Sequence, residues 1–103
     1  MTLLPACVSI IGHSEWLVER FVFEFLTRPG CHLCDQARPL IEFELGRRKM
    51  GLIEVDIDTD PTLIEDYGSR IPVLLDPDGA VIVEGRIEPR SLRRAMRRWR
   101  PQD

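Results

Sequence analysis

The chain has few cysteines, no long apolar run and neither repeats nor low-complexity tracts, and each shortage closes off a class of protein. Three cysteines in 103 residues are too few, and the wrong parity, for the disulfide framework of a small secreted domain. The longest apolar run falls well short of the ~18–20 residues that span a bilayer. The first twelve residues are apolar but lack a basic start. Leu4-Pro5-Ala6-Cys7 has no hydrophobic segment before it, so no secretion signal is read there. These shortages predict a cytoplasmic protein with no membrane partner. A formal charge of −3 argues against general nucleic-acid binding. The 44% hydrophobic content is enough for one core without staples, and the length fits one domain.

What is present becomes legible from Phe21 onward. Residues 1–20 read as an N-terminal extension of unassigned structure, in which Cys7 has the character of a small buried hydrophobe. Phe21-Val22-Phe23-Glu24-Phe25-Leu26-Thr27 is aromatic and β-branched, as a mostly buried strand requires. Arg28-Pro29-Gly30 breaks it. A helix follows through Cys31-x-x-Cys34 to about Leu45, with Leu33, Ala37, Leu40, Ile41 and Leu45 on one face and Gly46 as its C-terminal cap. Residues 52–57 form a second strand, which makes a parallel, right-handed βαβ unit. Asp60-Pro61 opens a short helix and Gly68 closes it. Residues 71–75 form a third strand. Asp76-Pro77-Asp78-Gly79 is a turn, and residues 80–84 pair back across it. Pro89 starts a last helix with Leu92, Ala95, Met96 and Trp99 on its apolar face. The order βαβ-αββα predicts an α/β domain over residues 21–103, a four-stranded mixed sheet flanked by helices.

Cys31-x-x-Cys34 is the chemistry-bearing motif. Disulfide exchange needs a thiolate that attacks and a second thiol close enough to release the mixed disulfide. Two cysteines one turn apart at a helix start meet both needs, because unpaired backbone N–H groups and the helix dipole favour a negative sulfur at Cys31. A protonated His32 would lower the Cys31 pKa further. A closed zinc site begins with the same spacing but needs four ligands. With only Cys7, His13 and His32 as further soft donors, no metal is expected. Ile71-Pro72 is either an edge or bulge position or a cis bond that presents a backbone edge to a peptide.

Thr27-Arg28-Pro29-Gly30-Cys31-His32-Leu33-Cys34-Asp35, residues 54–61, Ile71-Pro72-Val73 and Asp76-Pro77-Asp78-Gly79 together resemble the glutaredoxin-like family of small thioredoxin-fold proteins. The resemblance covers about Phe21 to Trp99. It implies a thioredoxin-like fold, a dithiol active site and a cis-proline at Pro72 facing the cysteines. It also implies that Arg28, three positions before Cys31, meets a carboxylate of glutathione, and that the Ile71 backbone pairs with the glutathione cysteine. Gly85 fits the glycine pair that precedes the last helix in glutaredoxins. Its neighbours do not, since Glu84-Gly85-Arg86-Ile87-Glu88 stands where the family has two glycines and an acid. Cys-His-Leu-Cys likewise replaces Cys-Pro-Tyr-Cys, and Pro39 is similar to the kinking proline of thioredoxins.

The expectation is a thiol–disulfide oxidoreductase. Cys31 attacks, Cys34 resolves, Gly30 permits close substrate approach, and Arg28, His32, Ile71, Pro72 and Gly85 bind substrate. Its partners would be protein or glutathione disulfides and a cellular reductant, with glutathione a co-substrate rather than a bound cofactor. Two alternatives stand beside this: a glutathione-dependent monothiol mechanism in which Cys34 is dispensable, and a thioredoxin-fold binding module that turns over no disulfide. Six arginines between Arg90 and Arg100 form either a solvated helix face or a docking face for an acidic partner.

Overall fold

The computed structural model describes residues 21–101; the extension, including Cys7 and His13, lies outside them. Four strands and three helices follow in order: β1 (Val22–Thr27), α1 (His32–Arg47), β2 (Gly51–Asp56), a 3-10 turn (Ile57–Thr59), α2 (Pro61–Tyr67), β3 (Val73–Leu75), β4 (Val81–Glu84) and α3 (Pro89–Arg98). The strands form one sheet in the order β2-β1-β3-β4. β1 runs parallel to β2, from Val22 opposite Gly51 to Thr27 opposite Asp56. It runs antiparallel to β3, with Phe25 opposite Leu74. The β3–β4 pair is antiparallel with a bulge between Leu74 and Leu75. This is the predicted mixed sheet of a thioredoxin-like fold. No helix among the described residues is long and apolar enough to cross a membrane.

Both faces of β1 are covered, which is why Phe25 and its neighbour Leu26 are both buried. On one face Phe23, Phe25 and Leu74 pack with Cys34, Ala37, Ile41 and Leu45 of α1 and with Leu92 and Met96 of α3. On the other, Leu26, Val73 and Leu75 pack with Ile57, Leu63 and Tyr67. The larger cluster contains Cys34, so the redox motif is built into the core.

Strand starts shift by one residue at β1, β2 and β4, and three further boundaries differ from the sequence reading for a visible reason. α1 does not end at Gly46 but at Arg47, with Arg48 as its cap and Lys49 in the left-handed region (φ 60°). The Lys49 N–H donates to Gly46 O and the Met50 N–H to Leu45 O, which is the Schellman closure. Glu44 favours the longer helix, since its buried carboxylate meets Arg48 at 2.8 Å and Arg47 at 3.6 Å. β2 stops at Asp56 because the Asp56 side chain accepts from Asp58 N and turns the chain. β3 begins at Val73 rather than Ile71, as Pro72 has no N–H to give a ladder. Pro39 sits within a continuous α1, where it leaves the Asp35 carbonyl without its helical donor.

Asp76 ties the hairpin to the last helix. Its Oδ1 accepts from Asp78 N (2.8 Å) and Ala80 N (3.0 Å), and its Oδ2 from Trp99 Nε1 (3.1 Å). The residue is buried, so removing the carboxylate strands three donors. Asp76→Ala is expected to cost about 2–3 kcal/mol, measured by urea unfolding. A loss below ~0.5 kcal/mol, the usual range for a surface change, would refute this role.

Candidate active site

β1 delivers the chain to the N-terminus of α1 through one tight turn. The Cys31 N–H donates to Arg28 O (3.3 Å), Pro29 occupies the second position, and Gly30 the third with φ +82°. A positive φ at that position is what a type II turn requires of glycine. No atom lies within 4 Å of where a Gly30 Cβ would stand, so conformation rather than space selects glycine here.

Cys31 is the N-cap of α1, with its side chain accepting from Cys34 N at 3.1 Å. The two cysteines are joined in a disulfide, Cα to Cα 5.2 Å. Their burial differs sharply: Cys34 is 0% exposed, whereas Cys31 is half-buried. In this disulfide form Cys31 Sγ stands at the N-terminal end of α1 beside the Cys34 N–H, a setting that favours a thiolate when a cysteine there is reduced. His32, the first residue of α1, is exposed.

The other segment that the sequence singled out enters on the β3 side of the sheet. The Ile71–Pro72 peptide is cis, and Pro72 is buried. Ile71 and Cys31 both pack against the larger core cluster. Gly85, at φ +74°, donates its N–H to Pro72 O (2.8 Å) and Arg70 O (3.2 Å), which fastens the loop before α3 to the cis-proline segment. The Ile71 N–H donates to Tyr67 O at 3.1 Å. An incoming strand would therefore find that donor engaged.

On the β2 side lies a 230 Å³ cleft lined by Thr27, Arg28, Pro29, Asp35, Arg38, Glu54 and Asp56. Its charges are already matched. Asp58 Oδ1 takes two bonds from Arg28, at 2.6 and 3.0 Å. Arg38 bridges Glu54 (2.7 Å) and Asp35 (3.0 Å). The Asp58 hydrogen bond raises the Arg28 pKa above its ordinary value, and the bonds from Glu54 and then Asp35 raise that of Arg38. Both stay cationic throughout the working range. The sequence reading found Arg28 but missed Asp58, Arg38 and Glu54. The Asp35–Arg38 spacing of three on a helix was a usable signal; Asp58 and Glu54 come from distant segments and left none.

Residues 23–97 match the glutaredoxin-like domain (DUF836). The chain belongs to this glutaredoxin-like family. Comparison with curated proteins returns no match. Among solved structures, this glutaredoxin-like chain is similar to the structural-genomics target protein XcR50 from X. campestris, with 33% identity over 73% of this chain and 95% of that one and a TM-score of 0.63. It is also similar to a protein from Nitrosomonas europaea, at 22% identity over 73% and 89% of the two chains and a TM-score of 0.61. Fasciola hepatica thioredoxin follows at 18% identity over 82% and 88%, with a TM-score of 0.58. The last two likenesses establish the thioredoxin fold alone.

Proposed function

We propose that this glutaredoxin-like protein is a thiol–disulfide oxidoreductase with Cys31 as nucleophile and Cys34 as resolving thiol. The observation that carries the reading is the asymmetry of the pair. An accessible sulfur caps α1 and accepts a backbone N–H, while its partner is wholly buried one turn away.

In the reduced protein, the Cys31 thiolate attacks one sulfur of a target disulfide. A Cys31–target bond forms, the target S–S bond breaks, and the second target sulfur leaves as a thiolate that takes up a proton. Cys34 then loses its proton and attacks Cys31 Sγ, expelling the first target sulfur. The target has gained two electrons and two protons, and the protein is left with the Cys31–Cys34 disulfide. Two glutathione thiols or a reductase dithiol restore it. Ile71, Pro72 and Gly85 form the docking wall, and Gly30 keeps the approach to Cys31 free of a side chain. His32 flanks the sulfur at the helix start.

Arg28 is the residue through which glutathione would be held, yet Asp58 already occupies its guanidinium. Glutathione is thus the weaker candidate substrate and protein disulfides the stronger.

The test is a pH titration of Cys31 alkylation in the reduced protein, paired with turnover of a protein disulfide. A Cys31 pKa lowered into the ~3.5–7.5 range of helix-start thiols, with turnover, is the expected result. A value at or above the ~8.5 of free cysteine, with no disulfide turned over, would leave only a binding module.

A further inference from the structure

Among the described residues the arginines fall into two main groups. Arg28, Arg38, Arg47, Arg48 and Arg70 each hold a carboxylate at 2.6–3.6 Å. Arg86, Arg90, Arg93, Arg94, Arg97 and Arg98 do not. Among the described residues no carboxylate lies within 4.0 Å of any of these six, and all are exposed.

The unpaired group is contiguous and rigidly mounted. Five of its members project from α3, which contains no acidic residue. Leu92 and Met96, 1% and 2% exposed, anchor the opposite side of that helix in the core. Arg100 turns back onto the carbonyls of Arg97 and Trp99, so it closes the helix end rather than joining the stripe.

Helix stability does not account for the arrangement. Cations complement the dipole only in the last turn, which covers Arg97 and Arg98. Arg90 and Arg93 lie in the first half of α3, where the dipole disfavours them. Like charges three and four residues apart also repel along the whole stripe. A surface held at such a cost is explained by an anionic partner.

The stripe begins next to the loop bonded to the cis-proline. Arg86 lies between Gly85, bonded to Pro72 O, and Ile87, buried in the cluster that holds Cys34. A chain docked along the cis-proline loop has Arg86 one residue beyond the Gly85–Pro72 bond, with α3 following directly in sequence. Outside the 89–100 segment the chain sets eight basic against 17 acidic side chains. The cleft on the β2 side holds its acidic groups together with Arg28 and Arg38, whereas β4, which the last helix packs against, is the strand at the other edge of the sheet. Basic side chains without a carboxylate partner among the described residues are thus gathered on Arg86 and α3.

We infer that Arg86 and the arginine stripe of α3 dock an acidic protein substrate and make the enzyme selective for disulfides flanked by carboxylates. This rests on the redox reading above. Arginine's planar fork pairs bidentately with carboxylates, and the chain's one lysine, Lys49, stands elsewhere. Nucleic acid fits less well. The ring at the end of the stripe, Trp99, is packed edge-on against Phe21 and Phe23 and bonded to Asp76, so it offers no stacking platform.

The test follows reduction, by the full-length reduced protein, of three disulfide-bonded peptides that share a core and differ only in flanking Glu, Gln or Lys residues. At about 0.01 M salt, where charges act over ~30 Å, kcat/KM for the Glu peptide is expected to exceed that for the Gln peptide roughly tenfold. The Lys peptide should fall below both. The preference should vanish near 1 M salt, where the range is ~3 Å. In a variant with Arg90→Gln, Arg93→Gln, Arg94→Gln and Arg98→Gln the Glu-to-Gln ratio should approach one, and lysine at the same four positions should retain most of it. Equal rates for the Glu and Gln peptides at low salt would overturn the inference with no variant needed. So would a Gln variant that keeps the ratio, or binding of a DNA duplex or phosphatidylserine vesicles without discrimination among the peptides. If none of the peptides is reduced, the redox reading fails, and anisotropy of a Glu peptide with serine in place of cysteine decides docking alone. Salt-sensitive binding supports it; none overturns it.

Discussion

Replacing Cys31 by serine is expected to lower protein-disulfide turnover about a thousandfold or more, while Cys34→Ser stops the reaction one step later, at a stable mixed disulfide. The difference follows from burial and position. Cys31 is the half-buried N-cap whose sulfur accepts the Cys34 N–H. Cys34 is 0% exposed and meets no external disulfide, but it stands one helical turn from Cys31. A serine hydroxyl stays protonated where a thiol ionises, so Cys31→Ser removes the attacking anion altogether. Thiol release from an oxidised protein substrate reports the first loss, and mass spectrometry of the covalent adduct reports the second. Turnover that survives Cys31→Ser and disappears with Cys34→Ser would invert the roles. Undiminished turnover of glutathione disulfides by Cys34→Ser, with protein-disulfide reduction lost, would point to the monothiol route.

The largest stability effect is expected at Phe25. Its side chain is 0% exposed, in the same cluster as Cys34, Ala37 and Ile41. The Arg38 guanidinium lies over its ring at 5.8 Å from the centroid. Phe25→Ala removes a ring from the junction of β1 and α1 and leaves a cavity that the sheet cannot close. The cost is about 3–5 kcal/mol, a large share of the ~5–15 kcal/mol that a domain commands. Urea unfolding should show a lower midpoint with an unchanged slope. Phe43, 70% exposed on α1, is the internal comparison: Phe43→Ala should stay within about 0.5 kcal/mol. Equal effects at the two positions would contradict the packing described here.

The carboxylate network beside the site also bears on substrate choice. The Arg28–Asp58 contact is half exposed, where ion pairs contribute little to stability. Its importance is occupancy, because a ligand carboxylate must compete with Asp58 for the same guanidinium.

The element order and the place of the Cys-x-x-Cys motif at the strand-to-helix junction were readable in the residues themselves. Their signals are local. Alternating aromatic and β-branched residues mark β1, Arg28-Pro29-Gly30 marks its end, Asp60-Pro61 caps α2, and Asp76 to Gly79 turns the chain into β4. Each depends on backbone sterics or a hydrogen bond spanning four residues or fewer, so the order of amino acids suffices to place it. Where α1 ends was decided otherwise, since Met50 packs back on the core and carries the closure past Gly46 to Lys49.

The charged partners lay beyond reach for the same reason in reverse. Arg28 meets Asp58 thirty positions away, Arg38 meets Glu54 sixteen away, and Asp76 meets Trp99 twenty-three away. Which arginines are neutralised and which are left free is a matter of what the sheet brings side by side. The sequence by itself determined the fold and a Cys-x-x-Cys at a helix start. Only the tertiary structure decided which cysteine is the less buried, which cation is already occupied and which arginines stand without a carboxylate, because burial and ion pairing are set by contacts between segments far apart in the chain.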